Sequence, residues 1–270
     1  MKIIQGLIFS NIWVSLSAGV MSLGFCNYIG VKHPLLFALV VFSATLFSYN
    51  LHRYLRLKDF EKSASIRHRW LFFSKHLLLL LFLAGGVSAF SLYLFFLFDW
   101  DSFIVLSIVA ILTCLYALRT RNNKPLREIP FVKIYLIAIV WVISLLIWPI
   151  IHTDQGLGQY IPVIFSFFLY LIATILPFDI RDLPYDLPEQ RTIPQLIGIK
   201  WAKRIALILL SLSFLLLISS VTLKWSIFFL VLAYLGHFIL ILNATPKKDE
   251  LYYSGWIDGW YIWFGLFWLF

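Results

Sequence analysis

The sequence predicts an all-α, polytopic membrane protein, and three observations carry that prediction: the composition, the lengths of the apolar runs and the placement of the basic residues. Of 270 residues, 61% are hydrophobic, 19% aromatic and only 13% charged, with a mean hydropathy of +0.90. Water-soluble domains carry far more charge and far less apolar side chain than this. A membrane-crossing helix needs about 20 apolar residues, and nine such runs can be laid out, at 3–29, 34–51, 70–98, 102–118, 131–151, 160–178, 203–223, 225–243 and 254–270. Runs of this length are helices and not barrel strands, because a helix satisfies its own backbone groups in lipid. A net charge of +9 raises the question of nucleic acid. However, all but two of the 22 Lys and Arg residues, Lys32 and Lys224, fall at one set of helix ends. That asymmetry is the positive-inside pattern of a multi-pass protein. It predicts a cytoplasmic N-terminus, an exoplasmic C-terminus, membrane lipids as the surroundings and no nucleic-acid partner, with the cytoplasmic (inner) membrane as the location.

Taken in order, the runs differ in what interrupts them. The first, with Asn11, Trp13 and Gly19, is longer than a cleavable leader and reads as a retained helix whose polar and small residues serve packing. Cys26 and Cys114 fall in separate runs and are expected as buried thiols, with no disulfide or metal framework. The second run closes on Phe47, Ser48, Tyr49 and Asn50, and the chain then turns basic through His52, Arg53, Arg56 and Lys58. Gly85 and Gly86 in the third run mark close helix packing. Asp99 and Asp101, just beyond it, are expected to be solvated.

The fourth run ends on Leu115, Tyr116 and Ala117 and passes into Arg119, Arg121, Lys124 and Arg127. The fifth carries Trp141, Trp148 and Pro149, and the loop after it, with His152 and Asp154, presents no ligand set. The sixth runs from Pro162, tolerated in a first helical turn, to Pro177, which is expected to disturb the helix. In the seventh and eighth, only His237 and Asn243 interrupt the Leu, Ile and Phe pattern, and His237 beside Gly236 reads as a hydrogen-bonded packing residue. The last run is crowded with Trp256, Trp260, Trp263 and Trp268, an aromatic interface belt, and holds Asp258 near its start.

The chemistry is expected between the sixth and seventh runs. Phe178 to Gly198 gathers Asp179, Asp182, Asp186 and Glu189 in a chain with only 13 acidic residues. Asp179, Asp182 and Asp186 are spaced three and then four apart, which on a helix places all three on one face. Pro184 works against a continuous helix there, because its ring meets the carbonyl of Ile180. Converging carboxylates repel one another unless a cation lies between them, and Mg²⁺ prefers such oxygens, keeps part of its water and is completed by phosphate oxygens.

This stretch resembles the second aspartate-rich motif of the UbiA-type intramembrane prenyltransferases, in which DxxDxxxD is followed by a turn, a basic residue, Thr, an aliphatic residue and Pro. Here these are Asp179, Asp182 and Asp186, then Arg191, Thr192, Ile193 and Pro194, with Gly198 closing the pattern. The glycine usual in the turn is missing around Glu189. The first motif of the family, NDxxDxxxD, belongs after the second run. Asn50 matches its opening residue, but Leu51, Tyr54 and Lys58 stand where the aspartates would be. These three precede Asp179, Asp182 and Asp186 at a constant offset, as a duplicated four-helix unit within one 1–270 domain would produce. The resemblance implies a bundle around a central cavity opening to the cytoplasmic side, where the two motifs together hold Mg²⁺ ions on a diphosphate.

On that resemblance the protein transfers a prenyl group from a polyprenyl diphosphate to an acceptor. Asp179, Asp182 and Asp186 would hold Mg²⁺ with Asn50 assisting, and Arg53, Arg119, Arg121 and Lys124 would grip the diphosphate, since guanidinium forks bind phosphate oxygens in pairs. Two readings of the first basic loop stay open. Arg53 and Arg56 replace one metal ion as counter-charge, or they meet anionic lipid headgroups. The missing first-motif acids also leave open a protein that binds or carries an isoprenoid phosphate without turnover.

Overall fold

The computed structural model describes residues 2–54, 74–95, 99–117, 132–186, 190–222 and 225–270, and among them it is all helix and turn with no strand. The helices are α1 (Lys2–Phe9), α2 (Ile12–Tyr28), α3 (Pro34–Tyr54), α4 (Lys75–Phe95), α5 (Trp100–Ala117), α6 (Val132–Ile150), α7 (Ile161–Asp182), α8 (Ile193–Ser220), α9 (Ile227–Asn243) and α10 (Asp258–Leu269). By length and composition α3, α6, α7 and α8 can cross a membrane, and α2, α4, α5 and α9 are shorter apolar helices. The chain is an integral membrane protein. Neighbours pack in the order α4, α3, α2, α10, α9, α8, α7, α6, α5.

The first apolar run is not one helix, as its length had predicted, but two. The chain breaks at Asn11, which takes a left-handed φ of 63°, and α1, at eight residues, is too short to cross lipid. The break is held by α3. Asn50, fully buried, donates from Nδ2 to Ser10 O (3.0 Å) and Leu46 O (2.9 Å) and accepts from Asn11 Nδ2 (3.0 Å). Arg53 Nη1 donates to Phe9 O at 3.2 Å. Carbonyls at a helix end have no intrahelical partner, and these two side chains supply one.

Close helix contacts use small residues, since lipid offers no hydrophobic drive between helices. At the crossing of α2 and α10, Gly24 lies against the backbone of Gly265, and a Cβ there would collide with the Gly265 carbonyl. Gly85 of α4 likewise lies on the backbone of Phe47.

α7 is the central element. Every residue from Tyr170 to Pro177 is buried. Pro177 does not end the helix, which continues to Asp182; the one donor that proline lacks is tolerated because packing on all sides over-determines the helix. Polar groups along α7 are each paired across helices. Ser166 bonds Ser213 of α8, whose Oγ lies 2.7 Å from the Tyr234 hydroxyl. Thr174 Oγ1 meets the Tyr261 hydroxyl at 2.6 Å. His237 is a packing residue, with Nδ1 2.8 Å from the Tyr170 hydroxyl and Nε2 3.2 Å from Ile257 O.

The end of the bundle away from Asp179 holds a different network. Asp99, expected to be solvated, keeps its side chain 41% exposed and also caps α5, accepting from the Ser102 backbone N–H at 3.1 Å. It also lies 2.6 Å from His152 Nε2. Ser102 in turn accepts from Trp148 Nε1 at 2.8 Å, tying α5 to the end of α6.

Candidate functional site

The site is built by the ends of α5, α6 and α7 with the turns that follow α7 and precede α10. α7 delivers Asp179 and Asp182 on its last turn. Beyond it the backbone makes one further turn past Pro184, with Tyr185 and Asp186 N–H groups both bonded to Asp182 O (2.8 and 2.9 Å). Asp186 therefore stays beside the two helical acids although the helix has ended. The Thr-Ile-Pro segment explains itself locally. Thr192 is the extended N-cap of α8, its N–H donates to Gln195 Oε1 at 2.9 Å, and Pro194 sits in the first turn where its missing donor costs nothing. Gly198 then takes φ 79° inside α8, a kink that a side chain would strain.

The three carboxylates do not face open water alone. Lys133, in the first turn of α6, places Nζ 2.8 Å from Asp179 Oδ1 and 3.4 Å from Asp182 Oδ2. Asp179 is only 1% exposed. Arg181 grips Asp182 with both edges of its fork, Nε to Oδ1 at 2.7 Å and Nη2 to Oδ2 at 3.2 Å. It reaches Glu250 at 3.6 Å and lies over the rings of Phe178 and Tyr253 at 5.1 and 5.6 Å. Tyr253 belongs to a π-helical turn, Tyr252–Ile257, and its hydroxyl donates to Thr245 O at 2.8 Å. Asp258 of α10 is within electrostatic reach of Arg181, and Tyr116 at the end of α5 within reach of Lys133. Tyr116 also packs on His52 of α3, ring centroids 5.7 Å apart, which brings the end of α3 to the same neighbourhood.

Asp186 differs from its neighbours. Its Oδ2 is buried and has no hydrogen-bond partner among the described residues. Burial pushes the carboxyl up to about 6; Lys133 opposes the rise, while Asp182 and Asp179 add to it. Among the described residues, five carboxylates (Asp179, Asp182, Asp186, Glu250 and Asp258) interact here with two cations, Lys133 and Arg181.

Clustered carboxylate oxygens, one of them buried and without a hydrogen-bond partner among the described residues, are donors of the type a hard divalent cation takes. Yet among the described residues no three acids, histidines or cysteines converge into a ready-made metal site, because the oxygens of Asp179 and Asp182 are turned to Lys133 and Arg181. By residue type the set fits a hard cation, while Lys133 occupies an oxygen of each of Asp179 and Asp182. Asn50 and Arg53 lie at the α1–α3 joint, where Asn50 spends its amide on neighbouring groups and Arg53 one of its five donors. Arg119, Arg121 and Lys124, like Arg56, lie outside the described residues. Sequence reasoning missed Lys133 and Arg181, counting both among the basic ends. A lone lysine at the mouth of an apolar helix is nonetheless a signal of its own.

No protein-family model matches the chain, and no curated protein matches it in sequence. Among solved structures, a UbiA homolog from Archaeoglobus fulgidus, bound to GPP and Mg²⁺, superposes with a TM-score of 0.60 over 98% of this chain and 99% of that one, at 13% identity. The chain therefore has the fold of a UbiA homolog.

Proposed function

We propose that this protein is an integral membrane prenyltransferase that moves a prenyl group from a polyprenyl diphosphate to an aromatic or lipid acceptor, with Mg²⁺ as cofactor. The observation that carries the reading is the acid-rich end of α7, with Asp186 Oδ2 buried and without a hydrogen-bond partner among the described residues, in a fold whose solved neighbour was bound to GPP and Mg²⁺. Asp179, Asp182 and Asp186 would hold the ion. An ion held there would supply charge neutralisation for the leaving diphosphate.

The chain's own residues do the rest. Arg181, fixed between Asp182, Glu250 and two rings, holds Asp182 in position. Arg53, Arg119, Arg121 and Lys124 bind phosphate oxygens, and Asn50 borders the same end. The isoprenoid tail belongs among apolar helices, and its diphosphate at the basic, cytoplasmic ends of the bundle. The C–O bond breaks with its electron pair going to the diphosphate oxygen; the acceptor attacks the allylic carbon and loses a proton. Aromatic faces stabilise the cationic carbon.

A second reading, a binder of isoprenoid phosphate without turnover, is favoured by Leu51, Tyr54 and Lys58 standing in place of first-motif acids. The two separate in one assay. Protein in nanodiscs, given geranyl diphosphate, a prenyl acceptor mixture and Mg²⁺, releases pyrophosphate if it is a transferase, and Asp182→Ala lowers the rate about a hundredfold or more. Saturable binding without release establishes the binder. Full activity in Asp182→Ala removes the acids from the reaction.

A further inference from the structure

We infer that Lys133 is a resident counter-cation that competes with the divalent metal for Asp179 and Asp182, so that metal and diphosphate enter the site together. The inference rests on the metal-diphosphate reading above and deepens it.

The geometry sets the competition. Lys133 Nζ lies 2.8 Å from Asp179 Oδ1 and 3.4 Å from Asp182 Oδ2, the space between two carboxylates that an ion bridging them would take. An ammonium at that distance and a divalent ion repel each other and cannot share the same oxygens. Both oxygens of Asp182 already carry a bond in this state, since Arg181 bonds Oδ1 and Oδ2 and Lys133 also reaches Oδ2. Among the described residues, Oδ2 of Asp186 is the buried carboxylate oxygen here without a hydrogen-bond partner, and one such ligand is fewer than a divalent ion needs.

The two cations differ in their freedom to leave. Arg181 is next to Asp182 in the chain, forked onto it, and held by Glu250 and the rings of Phe178 and Tyr253. Lys133 approaches from another helix on a flexible four-carbon stem, as a compact charge with rotatable donors. A diphosphate arriving at this end offers that ammonium new oxygens. Once Lys133 turns to them, Asp179 and one side of Asp182 are released to the metal. The carboxylates are never left uncompensated at any stage, which matters for Asp179, the most buried of the three.

Linkage makes this measurable. If the diphosphate relocates Lys133, then diphosphate strengthens metal binding, and metal strengthens diphosphate binding by the same factor. Purified protein in nanodiscs is titrated with Mn²⁺ and free Mn²⁺ is read by its paramagnetic resonance signal, with and without inorganic pyrophosphate, after correction for Mn²⁺ complexed by pyrophosphate in solution. Wild type should bind Mn²⁺ weakly alone and about tenfold more tightly with pyrophosphate. Lys133→Met should bind Mn²⁺ alone about tenfold more tightly than wild type and lose most of the coupling; Lys133→Arg should resemble wild type without pyrophosphate. Should Lys133→Met be unstable in chelator, its melting temperature must rise with Mn²⁺ by more than that of wild type, with Lys133→Gln as a second variant.

Mn²⁺ affinity unchanged or weaker in Lys133→Met, or tight binding by wild type without pyrophosphate, overturns the inference. Pyrophosphate release by wild type alongside that result leaves the proposed activity standing. Absent release alongside a tenfold gain in Lys133→Met does the opposite.

Discussion

Two helix ends in this molecule invite comparison: the end of α3, with Asn50 and Arg53, and the end of α7, with Asp179, Asp182 and the turn to Asp186. Both close an apolar helix and both carry buried polar side chains, but they use them differently. At α3, Asn50 is buried completely and its amide is bonded on both atoms to neighbouring groups, while Arg53 reaches the Phe9 carbonyl. At α7 the bonds run between charged side chains, and among the described residues the interacting acids outnumber the cations and one buried oxygen has no hydrogen-bond partner. The first end satisfies backbone left over by the break at Asn11. The second holds charge in reserve for something that brings more charge. Polarity alone does not mark a site; unbalanced polarity does.

The sharpest way to break this contrast is Asn50→Leu. It removes the acceptor of the buried Asn11 amide and a donor to Ser10 O, each costing roughly 1–3 kcal/mol when left unpaired. We expect a loss of about 3 kcal/mol, seen as a lower midpoint in thermal unfolding of detergent-solubilised protein. A midpoint within a degree of wild type would mean that the joint is not holding α1 to α3, and the contrast between the two ends would dissolve.

A smaller effect is expected from Arg181→Lys, which keeps the charge but loses the two-pronged grip on Asp182 and the flat contact with Phe178 and Tyr253. Lys and Arg are not equivalent at a forked, stacked position. The expected cost is about 1–2 kcal/mol, with weaker Mn²⁺ binding measured by the same resonance titration because Asp182 is no longer held. Unaltered Mn²⁺ affinity would reduce Arg181 to a structural anchor.

Much of this was legible in the sequence, and what was not has a common cause. Apolar run length located the helices, of which α3, α6, α7 and α8 are long and apolar enough to cross a membrane, and the spacing of Asp179, Asp182 and Asp186 kept the three near one another, because both are local properties. Thr192 and Pro194, read first as part of a motif, are also the start signal of α8. The break at Asn11 escaped because its reason, Asn50, lies far along the chain and hydropathy is blind to it. Lys133 escaped for the same reason: one charge on an apolar helix reads as one more basic end until α7 is folded against it. The pairing of the solvated Asp99 escaped because its His152 partner enters from the end of α6. Long-range pairing, not local pattern, separates an idle charge from a working one.

The least effect, and the finest probe of the α7 end, comes from Asp186→Asn. Burial raises the Asp186 carboxyl from 3.8 to about 6 in the folded protein, so the folded state holds this proton more firmly than the unfolded chain does. Its contribution to stability is then fully present below about pH 4 and is lost as pH rises through 6. Asparagine cannot ionise and escapes that loss. With chelator present, the melting temperature of Asp186→Asn relative to wild type should therefore climb between pH 4 and pH 7.5, by a few degrees at most. Added Mg²⁺ should narrow the gap at pH 7.5, because only the ionised carboxylate gains a ligand there, and should leave it unchanged at pH 4. A gap that does not depend on pH would mean the carboxyl is solvated. A gap that Mg²⁺ fails to narrow would mean that the buried oxygen is not waiting for a cation, and the α7 end would then be no more poised than the α3 end.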